Sequence, residues 1–472
     1  MSSRETFSIA LKRSVAAGAI AAAVGLAAGL FLLALNYSVL SISADSVRGA
    51  LQEEMEFSTE VFDNGGSTFN DCLLLSMTID RPVDRLAAAI SPNRLYANST
   101  AAVQDICGGL FDLIANGEAD PNRHISVPYH QYWSGMRTVL TLTVPAIGLG
   151  GTRVALQALW FMACAATFGI ALYGIVRERF SSKIGVHAAL ILGCLLLFYQ
   201  TAESSQALTR ASTDILFFVA FASYLRFSFD GNLARPSFLL LGMAGALVSY
   251  FELLHGAIPI FIAMLVFFEL SARPGHATAV ESVFRSAPTI SAFIGGLIAA
   301  FVLKITLVTL VIDGSYVSKF FDALQYRITG DERQYFENPV LASRFEDDPS
   351  SVYNLVKSFY RYAGTIAHGW QLMGIAWICG TAIVQVGAVI AWLRSDDREL
   401  RSIIFACLLS SAVIYLWWLL FLQHTINHPH FMLRLWAWPF GMTCVLLYSL
   451  IRHWRSRKLD GQAGPGVATQ VD

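Results

Sequence analysis

The stretch QHTINHPHFMLR, residues 423–434, gathers three histidines, a proline and an arginine. His424 and His428 are four apart, the spacing that sets two metal ligands on one helical face, and His430 would be a third. Pro429 argues against that helix. The residue before a proline is pushed out of helical geometry, whereas proline is favoured as the first helical residue. A helix is therefore expected to start at Pro429, with His428 at its cap and Arg434 about one turn in. Its N-terminus would present unpaired N–H groups and a partial positive charge. Together with the planar fork of an arginine, that favours a phosphate over a metal. Plain interfacial anchoring by the same residues stays open.

Other ionisable groups stand out because their surroundings are apolar. Glu252 and His255 lie in SYFELLHGAIP (residues 249–259), and Lys304 lies inside a long apolar run. Glu203, Arg210 and Asp214 flank another. The stretch YHQYWSG (129–135) supplies His130, Tyr132 and Trp133, as site residues or as an interfacial aromatic belt. Asp71, preceded by Asn70, opens the apolar segment of FNDCLLLSM (69–77).

The elements that must position these groups follow from composition. Of 472 residues 55% are hydrophobic and only 14% charged, where soluble proteins carry roughly a quarter, and mean hydropathy is +0.53. An all-α polytopic membrane protein is expected. A net charge of −1 without a concentrated basic face excludes a nucleic-acid partner. Runs able, or nearly able, to cross a hydrocarbon core of about 30 Å cover 14–36, 154–176, 184–200, 211–229, 236–251, 256–270, 288–312, 370–393, 403–422 and 431–451. These make about ten transmembrane helices, with 139–147 as an eleventh, half-inserted piece. The third to sixth are short, which leaves tilted or broken helices open there.

Lys and Arg fix the orientation, because they collect in cytoplasmic connections. With the N-terminus inside, seventeen of the 33 fall in the short cytoplasmic pieces, and the short outer connections hold only Arg210. Both termini are then cytoplasmic, and two large loops, 37–135 and 313–369, lie outside. Residues 1–458 read as one membrane domain and 459–472 as a disordered cytoplasmic tail. A cleaved first segment is the lesser alternative, since the charge pattern needs that span retained. The second loop is expected to hold two amphipathic helices, near 318–328 and 351–362. Cys72 and Cys107 both fall outside the membrane, where a disulfide between them is open.

Seven of the ten histidines, and most of the charged candidates, gather on the outer side. A lipid-linked sugar phosphate presents its phosphate at this height. Its displacement by a hydroxyl needs a base for the nucleophile, and charge stabilisation rather than a proton for the leaving phosphate. One outer carboxylate and a cationic lip satisfy that need.

One span, a large acidic outer loop, many further spans and a second outer loop with amphipathic helices resemble the GT-C superfamily of polyprenyl-phosphate-sugar glycosyltransferases. FNDCLLLSM, YHQYWSG, SYFELLHGAIP and HTINHPHFMLR are similar to segments of GT-C-like proteins of bacterial surface-polysaccharide and pilin glycosylation. The resemblance implies an inverting transferase of the bacterial inner membrane, monomeric, with its active site on the periplasmic face. Its donor would be a polyprenyl-phosphate sugar, for which the resemblance suggests a pentofuranose such as arabinofuranose, and its acceptor a glycan, lipid or protein. Asp71 takes the place of the superfamily's acidic residue, as base or as ligand of a divalent metal. The superfamily often pairs two acidic residues, and Asn70 stands beside Asp71 here, so Asp63 and Glu54 are the substitutes. Lys304, His428, His430 and Arg434 would hold the donor phosphate. Asn70, His130, Tyr132, Trp133, Glu252, His255 and His424 would face sugar or acceptor. The competing readings are a lipid-pyrophosphate-dependent polysaccharide polymerase or ligase, which uses the same cationic lip, and a transporter or flippase with a relay through Glu203, Asp214, Glu252 and Lys304.

Overall fold

Long segments apolar on every side must be surrounded by lipid or by other helices, and such segments form most of this chain. The computed structural model describes residues 3–57, 68–97, 106–117, 120, 122–130, 133–177, 183–198, 205–229, 236–251, 256–271, 279–329, 352–367, 370–427 and 432–462. In chain order, α1 (Ser3–Val39) is followed by α2 (Ala44–Phe57), α3 (Thr68–Ile79), α4 (Arg85–Ile90), β1 (Asn93–Ala97), α5 (Ile106–Asn116) and β2 (His124–Pro128). Then come α6 (Gly135–Arg177), α7 (Lys183–Phe198), α8 (Leu208–Phe229), α9 (Pro236–Phe251), α10 (Ala257–Ser271), α11 (Ala279–Val311), α12 (Tyr316–Thr329) and α13 (Val352–Tyr362). A 3₁₀ turn at Ala363–Ala367 leads to α14 (Gln371–Arg394), α15 (Arg398–Leu420) and α16 (Leu422–Asn427), and a second at Leu433–Trp436 leads to α17 (Ala437–Gln462).

Among the described residues seven helices are long and apolar enough to cross a membrane: those over Phe7–Val39, Gly135–Val176, Leu208–Phe227, Ser286–Val311, Gln371–Arg394, Arg398–Leu420 and Leu433–Lys458. The other three expected spans form shorter apolar helices, α7, α9 and α10. Bulky exposed side chains such as Phe31, Val176, Leu310, Ile383 and Leu416 would be a liability in water and are ordinary against lipid. The protein is an all-α membrane protein, with one small correction. The first loop carries a two-stranded antiparallel sheet in which Asn93 pairs with Pro128 and Ala97 with His124.

Small residues let α1, α9 and α11 approach closely. A Cβ on Gly25 would lie 2.5 Å from the carbonyl oxygen of Gly296, and one on Gly242 would lie 2.9 Å from the Cβ of Ala21. The first helix is thus packed closely on one face against α9 and α11.

The loop between α1 and α6 forms a packed layer, called the loop domain below, whose core also takes in Leu156 of α6 and Leu208 of α8. Leu51, Leu74, Leu95, Leu110 and Ile114 share one buried cluster, and Cys72 is disulfide-bonded to Cys107. The half-inserted piece expected at 139–147 belongs to this domain. Helix α6 breaks at Gly148, whose φ of 74° suits a glycine, and Met136, Leu140 and Val144 of its first half pack into the loop-domain core. That half is the floor of the loop domain and is part of the apolar helix over Gly135–Val176.

The two helices of the second loop appear as α12 and α13, close to their expected bounds. Phe359 of α13 packs edge-on against Trp418 at the end of α15, 4.9 Å between ring centres. At the C-terminus α17 continues to Gln462, past the boundary expected at 459. Residues 463–472 lie outside the described residues.

Candidate functional site

Two carboxylates of the loop domain dock it onto the ends of α6 and α8. Glu54 of α2 accepts from the N–H groups of Leu149 (2.9 Å) and Gly150 (3.1 Å), and so caps the second half of α6 where Gly148 breaks it. Asp71 of α3 accepts from the Leu208 N–H at 3.1 Å, the first residue of α8. Carboxylates are favoured at both places because a helix N-terminus carries unpaired donors and partial positive charge. The expected base is therefore an anchored group. Asp71 is 1% exposed and also forms an ion pair with Arg153 at 2.8 Å.

From that pair a polar seam runs between α6 and α8. Arg153, Gln157 and Trp160 recur at helical spacing on one face of α6. Arg153 also donates to the Gln206 carbonyl (2.8 Å), Gln157 to the Ser205 hydroxyl (3.4 Å), and the Trp160 indole to Asp214 (3.5 Å). Asp214 lies 3.7 Å from Arg434. Arg210, one turn before Asp214, adds a second guanidinium to its field. Six residues of helix, about 9 Å, separate the Asp71 cap at Leu208 from Asp214. Placing five ionisable groups inside an apolar bundle is costly, which marks the seam as functional ground.

Arg434 does not stand inside an α-helix, as the sequence suggested. It sits in the 3₁₀ turn Leu433–Trp436, buried, and α17 starts at Ala437. Pro439, rather than Pro429, occupies the first turn of the described helix, where a missing N–H costs nothing. Two tryptophans hold the turn: Trp436 stacks on Trp418 with ring centres 5.4 Å apart, and Trp418 donates to the Met432 carbonyl at 3.2 Å.

Lys304, Trp133 and His130 form a second group around the end of α4. The three carbonyls that end this helix are each taken by a donor from the bundle or its floor: Ala88 by Arg137 (2.7 Å), Ala89 by Asn36 (3.2 Å) and Ile90 by the Lys304 ammonium. Cations at a helix C-terminus complement its dipole. Lys304 does not snorkel to the surface; it is 0% exposed, with the Trp133 ring 5.3 Å away. Trp133 is no belt residue either, for it is buried and donates to the Ala300 carbonyl at 3.0 Å. His130 is half-buried, shares a 2.7 Å hydrogen bond with Ser91 and lies edge-on to Tyr316. Its pKa is lowered, first by burial and then by the Lys304 charge.

The structure thus brings Lys304 together with Trp133 and His130, and Arg434 together with Asp214, in two separate groups. Asn70 is half-buried on the first turn of α3, and His424 is half-buried on α16. Tyr132, Glu252, His255, His428 and His430 lie outside the described residues, as do Asp63 and Glu203. Gly256, the residue after His255, packs against Leu435 beside Arg434: a Cβ there would meet the Leu435 side chain at 2.6 Å. Among the described residues no three His, Cys, Asp or Glu side chains gather as a metal set.

Sequence reasoning missed Arg153, Arg137 and Trp160. The first two sit at the edges of apolar runs, where the rule that isolated membrane charges deserve a partner would have flagged them. Nothing in sequence marks Trp160 apart from the other aromatic residues.

Fold and seam define an integral membrane protein with charge buried inside its helical bundle. The chain matches no family model, and neither the curated proteins nor the solved structures offer a match to it.

Proposed function

We propose that the protein is a membrane glycosyltransferase that moves a sugar from a polyprenyl-phosphate donor to a glycan, lipid or protein acceptor on the outer face of the bacterial plasma membrane, with inversion. The observation that carries the reading is the buried seam in which Arg434, Arg210 and Arg153 meet Asp214 and Asp71 directly beneath the loop domain. A transfer of this kind needs a carboxylate and guanidinium groups at headgroup height, and no second carboxylic acid. Both loops are outside in this reading and both termini inside, in keeping with the charge bias of the connections and with a disulfide in the first loop. Arg434 takes the donor phosphate through its planar fork.

Asp71 is the base that the resemblance assigns. Asp214 is a second reading, favoured by one contrast: Asp71 is held at 2.8 and 3.1 Å, whereas the nearest partners of Asp214 stand at 3.5 and 3.7 Å. Shorter charge-assisted bonds stabilise the carboxylate form and weaken it as a base.

Purified protein reconstituted with a panel of polyprenyl-phosphate sugars and candidate acceptors should release lipid phosphate. Arg434→Ala should weaken donor binding at least tenfold, the order expected for a lost charge-assisted hydrogen bond, and Arg434→Lys by less. Unchanged donor binding in Arg434→Ala would reject the phosphate reading of this arginine. Absence of release from every donor in the panel would reject the transferase.

A further inference from the structure

Helix α13 (Val352–Tyr362) divides its circumference among three surroundings. Leu355 and Ser358 are buried, and Phe359 meets Trp418 of α15. Tyr353, Val356 and Tyr360 are instead 72, 61 and 64% exposed. At about 100° per residue these three fall within an arc of about 60°. Lys357 and Arg361, also exposed, occupy the arc beside them. A single exposed apolar side chain is ordinary, but three bulky ones aligned on one face of an eleven-residue helix form a patch that calls for a cover.

The fold fixes the level of this patch. Trp418, on which Phe359 packs, lies two residues before the end of α15. The other end of α13 is fastened to the first turn of α14. There the Gln371 side chain donates to the Tyr360 carbonyl and accepts from the Gly364 N–H at 3.1 Å, and Gly374 is closed against the Ala363 carbonyl with no room for a Cβ. Both α14 and α15 are long and apolar enough to cross a membrane, so α13 sits where two crossings end. Its surroundings at that level are apolar and uncovered as well: Trp370 and Leu372 around the start of α14, and Leu416, Leu419 and Leu420 at the end of α15, are all exposed. Exposed Tyr and Trp at the ends of spans are the composition of a membrane–water interface.

We propose that α13 lies in the headgroup layer of the bilayer, with Tyr353, Val356 and Tyr360 turned into the acyl boundary and Lys357 turned to the lipid phosphates. The phospholipid leaflet itself is the occupant of the patch. An amphipathic helix in the plane of the interface sinks its apolar face about 5–10 Å into the boundary between headgroups and acyl chains. The lysine stem is long enough to keep its ammonium among the phosphates beside that face. One side of α13 is thus held by the bundle and another by lipid, which fixes this helix of the second loop to the membrane. The surface is independent of the glycosyltransferase reading, since it uses none of the seam residues.

Spin labelling of the full chain in phospholipid nanodiscs tests it. Tyr353→Cys, Val356→Cys, Tyr360→Cys and Lys357→Cys are each made and labelled in a Cys379→Ser chain, because Cys379 is the exposed one among the free cysteines. The signal of the Cys379→Ser chain alone is subtracted. Collisions of each label with oxygen, which concentrates among acyl chains, are compared with collisions with a water-soluble nickel chelate. Oxygen should prevail at 353, 356 and 360, and nickel at 357. All four side chains are exposed, so a label displaces no packing; an unfolding temperature equal to the parent's checks each variant, and three positions on one face report the same quantity. Nickel prevailing at two or more of the three overturns the proposal, since the strip is then in water. Low collision with both reagents at two or more overturns lipid as the occupant and shows a protein cover instead. Oxygen prevailing at 357 as it does on the strip overturns the orientation given to Lys357.

Discussion

Replacing Asp71 with Asn separates what this residue does for the fold from what it does for chemistry. The carboxylate is 1% exposed, Arg153 opposite it is 9% exposed, and they meet at 2.8 Å. Removing one partner of a buried ion pair leaves the other charge uncompensated, at a cost of roughly 3–5 kcal/mol. The lower end of that range applies here, because the Arg153 guanidinium also donates to the Gln206 carbonyl at 2.8 Å. Asn keeps an oxygen for the Leu208 N–H, so the helix cap, a contribution of about 1 kcal/mol, survives in Asp71→Asn and is lost in Asp71→Ala. About 3 kcal/mol is therefore expected for Asp71→Asn and about 4 for Asp71→Ala. Changing Arg153 to Gln in the same chain removes the orphaned charge. Pairs in contact couple by roughly 0.5–3 kcal/mol, so the double variant should regain about 2 of the 3. Catalysis behaves otherwise. Loss of a general base lowers the rate by roughly 10²–10⁴-fold, and no second substitution restores a missing base. Unfolding in detergent, read beside lipid-phosphate release at matched folded amounts, gives both quantities. An Asp71→Asn protein that unfolds like the parent would refute the ion-pair argument. A double variant that regains turnover along with stability would remove Asp71 from the chemistry, and Asp214→Asn would then be expected to carry the full loss of rate.

Three further outcomes follow from the geometry. Gly25→Val should destabilise the bundle by roughly 1–3 kcal/mol through overpacking, because a Cβ at Gly25 already falls 2.5 Å from the Gly296 carbonyl oxygen; an unfolding midpoint equal to the parent's would show that α1 and α11 can separate at no cost. Cys72→Ser with Cys107→Ser opens a closure of 35 residues and should cost roughly 3–4 kcal/mol on loop-entropy grounds, with thiol labelling of the native chain at this pair appearing only after reduction. His130 has a pKa lowered from 6.5 by burial and by Lys304, with Lys319 lowering and Asp313 raising it. The unfolded chain then binds a proton that the folded chain refuses, so this residue's contribution to stability is present above pH 6.5 and declines as pH falls below it. In His130→Asn the unfolding temperature should fall less steeply between pH 6.5 and 5, and an unaltered slope would exclude this histidine as the source.

The sequence alone was enough for the membrane class, the ten apolar segments and the amphipathic character of the second loop. Those properties live in composition and in the local period of apolar residues, which chain neighbours settle among themselves. It also singled out Asp71, Lys304, Trp133 and Arg434 as polar or amphipathic groups in apolar company. Their partners were another matter. That Asp71 caps α8 and meets Arg153, 82 residues along the chain, that Lys304 closes the end of α4, and that Arg434 lies against Asp214 are pairings across long separations. A buried charge must find a counter-charge or a helix end, but which one it finds depends on which helices lie side by side. Glycine contacts among α1, α9 and α11, and the break at Gly148 that turns the first half of α6 into a floor, decide that arrangement. Close packing and backbone breaks of this kind arise only when distant segments meet, so tertiary structure alone turned a set of isolated charges into a seam.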